Sequence, residues 1–95
     1  MKLLGVKMVI TMAKYQNGNN AMQLLSEEGE PYAVASVNIP TALGKEEICI
    51  KNYSENEGIL ELLIEDDIVE EPHGFYTSGH VEIPVCRLND KYIPE

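Results

Sequence analysis

At 95 residues, 44% hydrophobic and 24% charged, the chain is long enough for one modest core and too short for two domains. Sixteen Asp and Glu against seven Lys and Arg give a formal net charge of −9, which argues against coating a nucleic-acid backbone or an anionic membrane through bulk electrostatics. A partner met through charge is therefore expected to be basic.

The opening Lys2-Leu3-Leu4-Gly5-Val6 is interrupted by Lys7, too early for a secretory h-region. No later stretch approaches the ~20 apolar residues of a membrane span, so a cytoplasmic location without membrane contact is expected. Val6, Met8, Ile10 and Met12 alternate with Lys7 and Thr11, the period of a half-buried strand closing at Lys14 or Tyr15. Asn17-Gly18-Asn19-Asn20 tolerates positive φ, and Ala21 to Leu25 resumes the apolar pattern, so a hairpin is predicted. Glu27 to Pro31 makes a second turn into a third strand, Tyr32 to Ile39, which Pro40 ends. A fourth strand is predicted at Ile48-Cys49-Ile50.

Ser54 and Glu57 stand in the S-x-x-E arrangement of a capping box, and Ile59, Leu60, Leu63 and Ile64 form an apolar stripe behind it. A helix is predicted there, stopping near Asp66 or Asp67. Ile68-Val69 reads as a brief strand, Pro72 to Gly79 as a loop, and Val81 to Leu88 as a last strand that Pro84 places at a sheet edge. The expected architecture is a single α+β domain over 1–88. It comprises an antiparallel sheet of four to six strands in β-β-β-β-α-β order with one helix on a face, and 89–95 forms a mobile tail.

Charge placement departs most from the average. Between Lys51 and Arg87 no Lys or Arg occurs, while acids crowd the same stretch. On a helix Glu57, Glu61 and Glu65 form one row with about 6 Å of rise between neighbours, and like charges at that spacing oppose helix formation. With Asp66 and Asp67 they make an acidic face suited to a basic partner surface, one that normally holds nucleic-acid phosphates being a fitting example. The bland alternative is a solvated helix face. Phe75-Tyr76, in the expected loop, is a second recognition element.

Other constellations are weaker. His73, His80, Glu70, Glu71 and Cys86 match no established metal-ligand spacing, so neither metal nor cofactor is expected. Cys86 and His80 lie about 20 Å apart on an extended strand, beyond nucleophile–base reach. Cys49 and Cys86 read as reduced, buried thiols. No phosphate-cradling glycine motif and no basic stripe with interleaved aromatics is present.

Five sequence blocks stand out: Tyr15-x-Asn17-Gly18-Asn19, Gly29-Glu30-Pro31-Tyr32, Val37-Asn38-Ile39-Pro40, Ile50 to Gly58, and Ile83-Pro84-Val85-Cys86-Arg87-Leu88. They resemble a family of small bacterial and phage proteins catalogued only as a domain of unknown function. The resemblance spans nearly the whole chain and brings no catalytic residues with it. It implies a setting, because such proteins look like cargo of phages and conjugative elements, where small acidic proteins block host defence or alter a host enzyme.

The resulting expectation is a non-enzymatic protein-binding protein in the host bacterial cytosol. It would inhibit a host nucleic-acid-handling or defence protein, in the anti-CRISPR or anti-restriction manner, through Glu57, Glu61, Glu65, Asp66 and Asp67. Two alternatives stand beside it. One is an assembly module self-associating through a Val81–Leu88 edge. The other is an enzyme or small-ligand binder with a pocket lined by Tyr53, His73 and His80.

Overall fold

The structure, a computed structural model, describes residues 2–3 and 5–94. A two-residue strand β1 (Lys2–Leu3) pairs antiparallel with the start of β2 (Val6–Lys14). The alternation read along β2 is realised, with Met8 buried in the core and Val9 48% exposed on the opposite face. The turn after β2 closes through the Tyr15 N–H to Asn19 O bond of 2.9 Å, and Gly18 supplies the required left-handed φ of +89°. β3 (Asn20–Ser26) runs back along β2, and the Glu27–Glu30 turn leads into β4 (Pro31–Val34).

The third strand is shorter than expected. At Ser36 a side chain takes over from the backbone ladder: Ser36 Oγ accepts the Met22 N–H at 2.9 Å and meets the Tyr15 hydroxyl at 2.9 Å. The backbone past Val34 is thereby free to turn toward a second sheet. Val37 N–H donates to Cys49 O at 3.1 Å, and Lys51 N–H donates to Ala35 O at 2.8 Å, around an isolated Ser36–Ile50 bridge.

That second sheet has the order β5-β7-β6, built from β5 (Glu47–Cys49), β6 (Gly74–Ser78) and β7 (Val81–Arg87). The α+β class holds. The single sheet expected from the sequence is instead two small antiparallel sheets, one in the order β1-β2-β3-β4 with β1 only two residues long and the other of three strands, joined by the Ser36 bridge. One short helix, α1 (Ile59–Glu65), packs in the angle between them. Its buried Ile59 and Leu63 meet Met8, Met22 and Leu24 from the first sheet and Ile48, Cys86 and Leu88 from the second. A smaller cluster, Ile39, Cys49, Ile83 and Val85, fills the other face of the second sheet.

Three further expectations are corrected. The Ser54–Glu57 capping box does not form: Ser54 begins a 3-10 turn with φ +57°, and Glu57 is extended, with φ −52° and ψ 128°, ahead of the helix. Asn52 caps instead, its Oδ1 accepting the N–H groups of Gly58 at 3.1 Å and Leu60 at 3.0 Å. The stretch 74–78 is strand β6 rather than loop, paired with β7 from Gly74↔Val85 to Ser78↔Val81.

Finally, β7 is the central strand of its sheet, so Val81–Leu88 is not an edge and Pro84 is buried. Proline is tolerated there because the carbonyl of Pro84 accepts the Ile50 N–H at 3.1 Å on the side where β5 ends, which also directs its missing N–H toward that end. The segment expected as a tail carries a 3-10 turn, Asp90–Tyr92, with Tyr92 and Ile93 against the main cluster, while Glu95 lies outside the described residues. Among the described residues no helix is long and apolar enough to cross a membrane.

Candidate functional site

The helix determines where the acids go. Because α1 begins at Ile59, the row of three carboxylates reduces to Glu61 and Glu65, one turn apart and both exposed. Glu57, off the helix, lines a 580 Å³ groove on one flank with Tyr32, Gly58 and Leu62. Asp66 faces a neighbouring depression that also touches Met8 and Tyr92. Asp67 stops the helix: it holds φ +57°, and the bonds Asp67 N–H to Ile64 O and Ile68 N–H to Leu63 O close a Schellman turn over buried Ile68. The five acids expected to form one face therefore divide among four places, Glu61 and Glu65 alone remaining together on the outer flank of α1.

Phe75 and Tyr76 also separate. Successive residues of a strand point to opposite faces, so Tyr76 packs into the smaller cluster beside Ile83 while Phe75 turns to the helix side and stays 60% exposed. There Phe75 meets the outer flank of α1. Leu60, Ile64, Pro72 and Phe75 floor an open groove of about 500 Å³, and Glu61, Glu65 and Glu71 rim it. The structure thus brings Glu61, Glu65 and Phe75 together at one site.

Glu71, which the sequence reading did not place there, reaches the rim through a bulge. Glu70 N–H bonds Arg87 O at 2.9 Å and His73 N–H bonds Val85 O at 3.0 Å, so three steps of one strand oppose two of the other and Glu71-Pro72 is pushed outward. The nearby cation is already engaged, since Arg87 pairs with Glu70 at 3.3 Å and Asp90 at 2.9 Å. Among the described residues Glu61, Glu65 and Glu71 form no ion pair.

The alternative chemistries find different surroundings. Cys49 and Cys86 are free thiols on opposite faces of the second sheet, and burial pushes them up to about 11 and about 12 respectively. His80 is exposed in the β6–β7 turn, whereas Cys86 is fully buried. His73 Nε2 meets Glu47 Oε2 at 2.7 Å, and Glu47 Oε1 accepts the Gly44 N–H at 2.8 Å. Those two contacts, the Gly44 amide first, hold the Glu47 carboxyl below its ordinary range. Tyr53 packs against the smaller cluster, and none of the grooves beside α1 includes Tyr53, His73 or His80. Among the described residues no group of three His, Cys, Asp or Glu is arranged to hold a metal ion.

Comparison with protein-family models, curated proteins and solved structures returned no match.

Proposed function

We propose that this chain is a non-enzymatic protein-binding protein that docks a cationic surface bearing an apolar side chain on the groove between α1 and β6. The observation that carries the reading is Phe75. A large aromatic left 60% exposed beside Leu60 and Ile64, inside a ring of three unpaired carboxylates, joins an apolar anchor to a charged rim. Such a surface favours a basic partner, speeds encounter at low salt and loses affinity as salt rises. The sequence resemblance points to a host nucleic-acid-handling or defence protein, whose cationic surface would be occluded by docking.

The test is to compare bacterial proteins retained by the immobilised wild type, by the triple variant Glu61→Gln/Glu65→Gln/Glu71→Gln, and by Phe75→Ala. The expected result is one basic protein held by the wild type at low salt, released at high salt and missing from both variants. Identical retention by all three would overturn the reading.

A further inference from the structure

The groove does not end at its side chains, because β6 forms one wall of it and is also the outer strand of its sheet. Pairing along β6 and β7 closes at Ser78↔Val81 across the two-residue turn Gly79-His80. In such a hairpin the closing pair exchanges both backbone bonds, and the pairs then alternate, so Ser78 and Tyr76 direct their N–H and C=O groups toward β7. Phe75 and Thr77 direct theirs outward. Pro84 agrees with this phase: it stands opposite Phe75 and offers no N–H, and its carbonyl faces the other way, to Ile50.

Sheet edges are ordinarily blunted by charge, proline or brevity. In the first sheet β1 covers the start of β2, the uncovered remainder of β2 ends at Lys14, and the opposite edge strand β4 begins at Pro31. β6 reads Gly-Phe-Tyr-Thr-Ser, five uncharged residues in a chain that is 24% charged, and none of these devices lies within it.

We infer that the docked partner segment is an extended strand, adding to the outer edge of β6 and alternating cationic with apolar side chains. This rests on the groove reading above and specifies how the partner is held. An added strand would bond the outward groups of Phe75 and Thr77. Its side chains on the helix side would lie against Phe75, Leu60 and Ile64, and long cationic ones would reach Glu61, Glu65 and Glu71. A second copy of this chain is the wrong occupant, since antiparallel pairing of two β6 edges would place both acidic rims on the same face of the joined sheet, in mutual repulsion.

The experiment uses the unmodified protein and an end-blocked eight-residue peptide alternating lysine with isoleucine. A peptide of the same composition, permuted to a helical period, serves for comparison. The alternating peptide should bind at low salt at least tenfold more tightly than the permuted one, and it should slow amide exchange at Phe75 and Thr77 at least tenfold. N-methylating one alternate set of its amides should weaken binding at least tenfold, and methylating the other set should not.

If the alternating peptide binds in a way that depends on Phe75 and the three glutamates, yet both methylated series bind alike, strand addition is overturned and the groove reading survives. If neither peptide binds at any salt, both fall together. Doubling of the protein's mass in sedimentation at low salt, with protection of the same two amides, would overturn the heterologous partner in favour of a second copy.

Discussion

Asp67 sits in the left-handed region with φ +57°, a conformation that costs a side chain free energy and costs glycine little. It also places a negative charge at the negative end of the helix dipole. Its tolerance follows from its position: the short aspartate terminates α1 so that Ile68 can enter the core at 2% exposure. The expected effect of Asp67→Gly is a gain of about 1 kcal/mol, read as a higher urea midpoint with unchanged slope. Gly58 answers to the same physics. An added Cβ there would meet nothing within 4 Å, and the residue is glycine because its φ is +91°.

Among the elements, the helix shows how a good local signal loses to a tertiary one. The S-x-x-E spacing at Ser54 is a sound capping box on paper. In the fold, the buried Asn56 donates to Val34 O, which ties the 3-10 turn to the first sheet and delays the helix to Ile59. Asn52 then captures the two exposed amides. Asn52→Ala should therefore cost about 1 kcal/mol, while Ser54→Ala should cost a few tenths, as measured by thermal unfolding of both variants. A reversed order would mean that the capping box forms in solution. The same competition explains β6: Gly74 and Ser78-Gly79 carry turn signals, but Phe75-Tyr76-Thr77 has strong strand propensity and β7 supplies the partner.

Across the whole molecule, buried asparagines hold the connector 38–47 in place. Asn19 donates to Asn38 Oδ1, Ile39 O and Thr41 O and accepts from Leu43 N–H, and Asn20 donates to Lys45 O and Glu47 O. This connector delivers Glu47 to His73 and so ties β5 to the approach to β6. Because the folded Glu47 titrates below its ordinary value near 4.5, its contribution is present above that pH and is lost as pH falls through the lower, folded value. Glu47→Gln should therefore reduce stability by about 1 kcal/mol at pH 7, and the difference from wild type should shrink once the pH is lowered well below 4.5. Urea unfolding at the two pH values checks it; a constant difference would remove the carboxylate from the account.

Much of this was written in local pattern. Alternation at Met8, Ile10 and Met12, the Asn17-Gly18 turn, the stripe Ile59, Leu60, Leu63 and Ile64, and the end of the helix near Asp67 are short-range consequences of strand and helix periods. So are the excess of acid and the strand at Val81 to Arg87. The groove was only half legible: Glu61, Glu65 and Phe75 could be singled out, but their meeting could not, because it depends on which face of β6 looks at α1. Glu71 was missed because a bulge has no signature apart from the strand it bulges against. The division into two sheets, the central place of β7 despite Pro84, and the exposure of the β6 edge were likewise decided by pairing between residues far apart in sequence. A hydrogen bond such as Ile50 to Pro84 belongs to the assembled chain, and no local window contains both of its partners.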